Sequence, residues 1–321
     1  MDTGASLLDR TGSVVLEGVA CPMGCPRGDE AVLTGHDRLH GLPGRFTVVR
    51  CNTCKLMRTT PRPDAATMGY YYPDDYQPYS QTRIKDKAPR KSGAKRRRVL
   101  RDRVKPNALP PAATPGRLLE LGCASGNFLH RMARAGWEVE GIEPSAHAAH
   151  QAMEAGYKVR NVSLEAAGDP QLPFDLIVGW MVLEHLHQPL DVLQKLRSWV
   201  RPDGWLVLSV PDAGGLEFRL FGDRWYALQL PTHLHHFSPE TLTRMLTAAG
   251  WAVDRTLWHG SATNTLMSLS YLASDRGFSR AADFFRDAAE RRRLRATGKA
   301  LGILLGLLRQ SGRITVWARP S

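Results

Sequence analysis

The sequence predicts an α/β fold built on a doubly wound, mostly parallel sheet, with a small cysteine-bearing segment in front of it. From Gly116 onward, short apolar runs alternate with amphipathic stretches. Most of these runs end in a glycine-rich or acidic turn. Four of the five cysteines fall within the first sixty residues. Alternating strands and helices are typical of a parallel sheet covered on both faces.

The composition indicates a globular protein. The 321 residues are 43% hydrophobic and 23% charged, which excludes a disordered chain and a fibrous repeat. The net charge is +12, but the basic residues concentrate in 83–105 and 286–299, where few aromatic residues could stack on bases. Nucleic acid is therefore disfavoured as the main substrate. No apolar signal core is present and the longest apolar run, 300–308, is too short to span a bilayer, so a cytoplasmic protein is expected.

Residues 1–60 are expected to form a zinc-ribbon-like domain. The sequence carries two close cysteine pairs, in "CPMGCP" and "CNTCK", and they supply Cys21, Cys25, Cys51 and Cys54. Two such pairs can hold zinc in a four-thiolate tetrahedron, although the first is spaced C-x3-C where C-x2-C is commoner. Four thiolates leave no open position for water, so the ion would be structural. The alternative is four unrelated reduced cysteines.

A tyrosine-rich brace and a basic linker are expected over 61–115. Five tyrosines cluster between prolines in this segment: Tyr70, Tyr71, Tyr72, Tyr76 and Tyr79. A segment this aromatic is predicted to pack on the following domain, either by plain hydrophobic docking or with a contact to substrate. Residues 81–115 are polar, basic and proline-rich, as is typical of a linker.

The main domain, 116–321, begins with two repeats of the same scheme. A strand at 117–121 leads through a glycine turn at 122–126 into a helix at 127–135, and a second strand at 138–142 ends in the acid Glu143. Further strands are predicted in "PFDLIVGW" and "WLVLSVPD", with the helix "PLDVLQKLRSWV" between them. In such sheets the ligand site lies beyond the carboxyl ends of the strands.

The glycine turn indicates which nucleotide binds there. A dinucleotide fingerprint needs glycine at its third and sixth positions, which here are Ala124 and Asn127. An NAD-dependent oxidoreductase is thereby disfavoured but stays an alternative. Glu120, on the first strand, suits an amine-bearing ligand, and the carboxylate of Glu143 can accept both ribose hydroxyls. S-adenosylmethionine has both groups.

Several motifs in order resemble the class I S-adenosylmethionine-dependent methyltransferases. "LLELGCASGNFL" resembles their motif I, with Ala124 in place of the middle glycine, and "GIEPS" resembles their second motif. The likeness continues through "FDLIVGWMVLEHLHQPLDVLQKLRSWVRPDGWLVLSVPD" and recurs at "GRITVWARP". It implies a Rossmann-like seven-stranded sheet whose last strand is antiparallel, here preceded by a helical insertion over 263–310. The cysteine segment with "PRP" and the tyrosines is similar to a subgroup acting on sugars or in natural-product pathways.

The resemblance also implies nine cofactor contacts. Motif I would hold the methionine portion, Glu143 the ribose, Pro144 and Leu164 the adenine, and the end of the fourth strand the sulfonium. The nine positions are Glu120, Gly122, Ala124, Gly126, Glu143, Pro144, Leu164, Trp180 and Met181. Trp180 could equally be an ordinary core aromatic.

The stretch "PTHLHHFSPE" precedes a helix capped by Ser238 and holds the candidate general bases. Removing a proton from an acceptor hydroxyl is a common role of histidine. His233 is the favoured base and His236 the second candidate, whereas His147, His187 and His235 are expected to face solvent.

A divalent metal is the alternative use of these histidines. Related methyltransferases hold such an ion with a Glu-x-x-Glu-His cluster. Here Glu184 and His185 are present, but Met181 stands where the first glutamate would be, and a thioether is a poor ligand for hard cations. His233 or His236 could complete the set.

The predicted function is methyl transfer to a small polar metabolite, such as a sugar, a nucleotide sugar or a natural-product intermediate. Trp225 and Tyr226 are expected to form an aromatic wall for the acceptor. The C-terminal helices could cover the cleft, form a dimer or touch a membrane surface, and packing within the protein is the default. The second alternative function is a non-enzymatic zinc-ribbon adaptor that binds nucleic acid. Whether oxygen, nitrogen or carbon is methylated, and the oligomeric state, stay open.

Overall fold

The computed structural model describes residues 14–73, 108–259, 262–290 and 302–321. The basic linker expected at 83–105, Tyr76 and Tyr79 lie outside the described residues.

The amino-terminal part contains five short strands: β1 (Leu16–Glu17), β2 (Asp29–Gly35), β3 (Phe46–Cys51), β4 (Met57–Thr59) and β5 (Arg62–Pro63). Strands β2, β3 and β4 form an antiparallel meander, while β1 pairs with β5. Along β3, the buried residues Phe46 and Val48 alternate with the partly exposed Thr47, as expected for a strand with one covered face. The first cysteine pair precedes β2, and the second lies at the turn between β3 and β4.

The remaining strands are β6 (Arg117–Leu121), β7 (Glu138–Ile142), β8 (Lys158–Arg160), β9 (Phe174–Trp180), β10 (Val200–Pro211), β11 (His235–His236), β12 (Trp251–Trp258) and β13 (Arg313–Pro320). Seven of them form the main sheet in the order β12-β13-β10-β9-β6-β7-β8. Strand β13 is antiparallel to both of its neighbours, and β6 to β10 pair in parallel. The predicted seven-stranded sheet with an antiparallel last strand is confirmed.

The helices are α1 (Asn127–Ala133), α2 (Ala146–Glu154), α3 (Pro189–Trp199), α4 (Leu216–Phe221), α5 (Pro239–Ala248), α6 (Ala262–Asp275) and α7 (Ser279–Glu290). Helix α1 ends two residues before the predicted 135. Helices α6 and α7, with a further turn of helix at 302–307, lie between β12 and β13 as the expected insertion. Across the described parts of the chain, no helix has both the length and the apolar character needed to cross a membrane.

The strands of the main sheet are apolar in sequence because their side chains are buried on both faces of the sheet. Leu176, Ile177 and Val178 of β9 are fully buried because helices cover both faces. Helix α5 begins as predicted: the Ser238 side chain accepts a bond from the Thr241 backbone N–H, Thr241 bonds back to Ser238, and Pro239 follows the cap.

Strand β11 connects the two parts of the chain. It pairs antiparallel with β4, so that His235 lies opposite Arg58 and His236 opposite Met57. On one side of β11, the backbone N–H of Thr59 donates to the Leu234 carbonyl at 2.9 Å. The Leu234 N–H in turn donates to the Glu184 carbonyl at 2.8 Å. The histidine stretch is therefore the edge strand of the cysteine segment's own sheet, and continuous backbone hydrogen bonds join that sheet to the segment after β9.

Candidate functional site

The turn after β6 has a backbone that restricts its side chains. Gly122, Ala124 and Gly126 have φ angles of +61°, +45° and +82°. A Cβ on Gly122 would lie 2.8 Å from Cγ2 of Val182, which follows β9. Glycine is needed at this position for both its conformation and its close contact. The turn thus lies directly against the chain that leaves the neighbouring strand.

Glu120 on β6 is a buried acid with an unused oxygen. Only 3% of the residue is exposed, and its Oε2 has no hydrogen-bond partner among the described residues. Burial raises the pKa of this carboxyl well above its ordinary value, and the positive charge of Arg131 opposes that rise. A ligand amine would supply the missing partner.

Glu143 joins the turns after β6 and β7. Its Oε2 accepts from the Ala124 backbone N–H and its Oε1 from the Ser145 N–H, both at 2.9 Å. Burial raises the pKa of Glu143, and the two N–H donors oppose the rise. A carboxylate held in this way has a defined orientation at the edge of the sheet, as recognition of a diol requires.

The remaining predicted cofactor residues also lie around these strand ends. Pro144 is exposed, and its carbonyl accepts from Asn161 Nδ2 at 3.1 Å. Leu164 is buried, and its carbonyl accepts from Lys195 Nζ at 2.6 Å. Trp180 packs edge-on against Phe128, with 5.3 Å between ring centroids, and its Nε1 is buried without a partner among the described residues.

Met181 has a φ of +61°, and its N–H donates to the Ser209 carbonyl of β10 at 2.8 Å. The unpaired Glu120 oxygen and the unpaired Trp180 nitrogen are the polar atoms expected of a cleft that takes an amine-bearing nucleoside. On these observations the residues fit S-adenosylmethionine.

A second cluster lies where the chain leaves β9: Glu184 and His185 come from the turn after this strand, and His233 comes from the stretch before β11. The ligand atoms of Glu184, His185 and His233 lie within 4.8 Å of one another, and the two imidazole centroids are 4.6 Å apart. Nδ1 of His233 donates to the Ala227 carbonyl at 2.9 Å. Nδ1 of His185 donates to the Thr232 carbonyl at 2.9 Å. Because each Nδ1 carries the proton, each Nε2 keeps its lone pair free, which is the tautomer needed by a base or a metal ligand.

Burial disfavours the charged form of each group in this cluster. Glu184 is fully buried, and neither carboxylate oxygen has a hydrogen-bond partner among the described residues. Burial raises the pKa of Glu184 to about 8, against the opposing influence of its own backbone N–H and of Arg313. Burial lowers the pKa of His185 to about 4 and that of His233 well below its ordinary value. Without an ion, the Glu184 carboxyl is therefore mostly protonated at neutral pH and both imidazoles are neutral. A divalent cation would favour the ionised carboxylate, and a carboxylate with two imidazoles is a donor set that suits such an ion.

Sequence reasoning missed two residues beside this cluster. The Tyr72 hydroxyl lies 2.8 Å from Nδ1 of His185, and the tyrosine run between prolines was its only signal. Arg313, at the start of β13, donates through Nε to the Ser209 hydroxyl at 2.8 Å. Burial lowers the pKa of Arg313 to about 10, against the attraction of Glu184. No pattern in the sequence places Tyr72 or Arg313 beside the end of β9.

The other histidines are placed differently from the expectations. His236 is buried, and its Nε2 contacts the Thr59 hydroxyl at 3.1 Å, so it lies in the seam between β11 and β4 and not in the cluster. Burial lowers the pKa of His236 to about 3. The expectation that His235 faces solvent is wrong: it is 2% exposed because β11 is covered by the cysteine segment. His147 is exposed as expected, and His187 is partly exposed.

The aromatic wall is also corrected. Trp225 is 1% exposed and packs edge-on against Phe218, with ring centroids 5.5 Å apart, so it is a core residue with no face free for an acceptor. Tyr226 is partly buried and lies against Tyr271.

The four cysteines of the amino-terminal part converge. The Sγ atoms of Cys21, Cys25, Cys51 and Cys54 lie within 4.8 Å of one another, a grouping that could hold a metal ion. At Cys51, burial raises the thiol pKa, but the backbone N–H groups of Cys54 and Thr53 outweigh it and lower the pKa to about 7. Burial raises the pKa of Cys21 and of Cys25 instead, so Cys51 is the most easily ionised of these three thiols when no metal is bound.

A doubly wound sheet with an antiparallel last strand, an acid on its first strand and a second acid after the next is the arrangement expected of a nucleoside-binding α/β domain. Residues 93–256 match the methyltransferase domain family. The chain belongs to this family, as a class I S-adenosylmethionine-dependent methyltransferase. Membership of this family excludes the two alternative functions considered from the sequence, an NAD-dependent oxidoreductase and a non-enzymatic adaptor.

Curated relatives include ubiquinone biosynthesis O-methyltransferases. The protein from Cereibacter sphaeroides is 28% identical over 180 residues, covering 49% of this chain and 72% of the relative. The protein from Xanthomonas campestris pv. campestris is 31% identical over 136 residues, covering 39% of this chain and 56% of the relative. The chain thus spans little more than half the length of the Xanthomonas relative.

Solved structures similar to the chain include two methyltransferases. An S-adenosylmethionine-dependent methyltransferase from Mesorhizobium loti is 18% identical and covers 71% of this chain and 98% of its own, with a TM-score of 0.45. Magnesium protoporphyrin IX methyltransferase from Synechocystis, solved with the cofactor bound, is 19% identical and covers 44% of this chain and 62% of its own, with a TM-score of 0.34.

Proposed function

We propose that this protein transfers the methyl group of S-adenosylmethionine to a hydroxyl oxygen of a small polar acceptor, on which Glu184, His185 and His233 act. The observation that carries the proposal is the cluster itself: a buried carboxyl without hydrogen-bond partners among the described residues and two imidazoles whose Nδ1 atoms donate to carbonyls, gathered where the chain leaves β9. Three polar groups of this kind are costly to bury unless they serve a ligand.

Oxygen is favoured as the acceptor atom because the relatives from Cereibacter and Xanthomonas are O-methyltransferases by name. Sugar hydroxyls fall within this class of acceptor. The names of the relatives favour oxygen as the methylated atom but do not indicate a sugar. Nucleotide sugars are therefore tested as one of the two panels of acceptors below.

The chain's contribution at the cofactor is to bind and orient. S-adenosylmethionine supplies an activated methyl group on a sulfonium. Glu120 is assigned to the amine of the methionine portion and Glu143 to the ribose, with Gly122, Ala124 and Gly126 providing the close turn between them. The role of Trp180 and Met181 is to shield the reacting centre from water, since displacement at a methyl carbon depends on alignment in a dry site.

We further propose that the cluster holds a divalent cation through one Glu184 oxygen and the Nε2 atoms of His185 and His233. Such an ion, when bound, lowers the pKa of an acceptor hydroxyl. This assigns His233 the role of ligand in preference to general base, because burial disfavours the proton that a base must take up. The contacts of His236 with Thr59 support no catalytic role for it. At the four cysteines we propose a zinc ion with a structural role only, as all four positions are thiolates.

The experiment is a tritiated-methyl transfer assay against two panels of acceptors, nucleotide sugars and phenols, with and without added Mg²⁺, Mn²⁺ or Zn²⁺. Wild type should label a hydroxyl acceptor in a metal-dependent manner. His233→Ala and Glu184→Gln should each lower kcat by at least about a hundredfold, while the exposed control His147→Ala keeps wild-type turnover. Wild-type turnover in both cluster variants would refute the role of the cluster. Failure of calorimetry to detect S-adenosylmethionine binding would refute the transfer reaction itself.

A further inference from the structure

A cavity of about 150 Å³ lies away from the methyl-transfer cluster, in the seam between the cysteine segment and helix α3. One wall is formed by Ala20 and Pro22, on either side of the first cysteine, and by Arg62 of β5. The opposite wall is formed by the first turn of α3 and by His187 and His235. The volume is large enough for a phosphate or a small carboxylate, and the lining combines polar side chains with apolar ones.

His235 is the feature that marks this cavity as a site. The residue is 2% exposed, it lines the cavity, and neither Nδ1 nor Nε2 has a hydrogen-bond partner among the described residues. A neutral imidazole carries one N–H donor and one acceptor, and leaving a buried polar group unpaired costs about 1–3 kcal/mol. Its neighbour His236 faces the opposite side of β11 and is bonded to Thr59. Of the two, only His235 is left with an N–H for a group in the cavity.

The charges around His235 favour a negative group. Two arginines, Arg62 and Arg58, act on its imidazole. Arg58 is already bonded through both terminal nitrogens to Asp29, so Arg62 is the cation left to contact a ligand. The Arg62 side chain is 7% exposed. It donates through Nε to Glu17 at 2.8 Å and through a terminal nitrogen to the His187 carbonyl at 3.2 Å. A guanidinium has five N–H donors, so these two bonds leave others for a ligand.

The amino terminus of α3 adds to the positive electrostatic potential in the cavity. This eleven-residue helix begins at Pro189, and the Gln188 side chain makes no capping bond, so the first-turn N–H groups of Leu190 and Asp191 have no partner within the helix. A helix amino terminus attracts anions. Asp191 is the one acid on the cavity wall, but it is exposed, so solvent screens its charge.

We propose that this cavity is a binding site for a small oxyanion, a phosphate or a carboxylate group, held by the His235 N–H and the Arg62 guanidinium at the amino terminus of α3. The oxyanion would bridge β5, β11 and α3. Its binding would therefore strengthen the docking of the cysteine segment on the methyltransferase fold.

Calorimetric titration of the full-length, zinc-loaded protein with inorganic phosphate and, separately, with acetate tests this proposal and distinguishes the two oxyanions. We expect one saturable site for at least one of them. His235→Phe and Arg62→Met should each weaken binding by at least about tenfold, while the exposed controls His147→Phe and Arg27→Met bind as wild type. Circular dichroism and S-adenosylmethionine binding report whether the variants are folded.

A crystal of the wild type soaked in the tighter-binding oxyanion provides the second measurement, which does not depend on any variant folding. Density for the oxyanion beside His235 is expected. The proposal fails if neither anion gives saturable heat up to about 50 mM, if folded His235→Phe and Arg62→Met bind as wild type, or if the soaked cavity contains only water.

Discussion

Glu184→Gln should remove a pH dependence of stability that the wild type shows when no divalent ion is at the cluster. The folded-state pKa of Glu184 is about 8, against an ordinary value of 4.5, because the carboxyl is fully buried. The folded protein therefore favours the protonated carboxyl. As the pH rises above about 4.5, the unfolded chain releases its proton and the folded chain does not. The stabilising contribution is complete below the ordinary pKa and is lost as the pH rises towards 8.

The size of this change in the free energy of unfolding follows from a single proton, which the unfolded state releases and the folded state retains. In this interval the free energy of unfolding falls by about 1.4 kcal/mol for each pH unit. Between about pH 5.5 and about pH 7.5 the wild type should thus lose up to about 3 kcal/mol relative to Glu184→Gln. Glutamine has no proton to release, and its amide is close to the carboxyl in size.

Urea unfolding followed by tryptophan fluorescence at a series of pH values measures this difference. Because wild type and variant share every other titrating group, the difference between their curves isolates Glu184. Glu154→Gln is the matched control, since the Glu154 side chain is 65% exposed on α2, and its curve should run parallel to that of the wild type. A saturating divalent ion should flatten the wild-type curve, because the bound carboxylate is ionised in the folded state. Parallel curves for wild type and Glu184→Gln without the ion would refute the reasoning.

Three further predictions concern the turn, the seam and the cysteines. Gly122→Ala places a methyl group 2.8 Å from Val182 at a φ of +61°, so it should cost about 1–3 kcal/mol of stability and weaken S-adenosylmethionine binding in calorimetry. Wild-type affinity and stability would show that the turn can relax. Thr59→Val should cost about 1–3 kcal/mol in urea unfolding because His236 loses its hydroxyl partner; no loss would mean that the imidazole finds another. Cys51→Ser should lose bound zinc in elemental analysis and make the β4–β11 seam sensitive to protease, whereas an intact seam without zinc would show that the metal is dispensable there.

The methyltransferase half could be predicted closely because its signals are local. The first two strands lie at the predicted 117–121 and 138–142, since apolar runs bounded by a glycine turn and an acid leave little choice of structure. The place of β13 between β10 and β12 followed from resemblance to a family and not from any local pattern.

The histidine stretch could not be predicted in the same way. In the sequence it stands between a proline and a helix cap, where polar residues normally face water, so His235 was expected to be exposed. Its burial depends on β4, more than 170 residues earlier, pairing with β11. Pairing over such a separation leaves no local signal, because each strand is only two or three residues long.

The sequence by itself determined the class of fold, the glycine turn after β6, the acids Glu120 and Glu143 that we propose contact the cofactor, and the two close cysteine pairs, because apolar alternation and short-range spacing carry these signals. Only the tertiary structure decided that His233 joins Glu184 and His185 while His235 and His236 turn into a seam. The reason is that hydrogen bonding of the edge strand β11 to β4, and burial of the whole stretch under the cysteine segment, set which way each imidazole points.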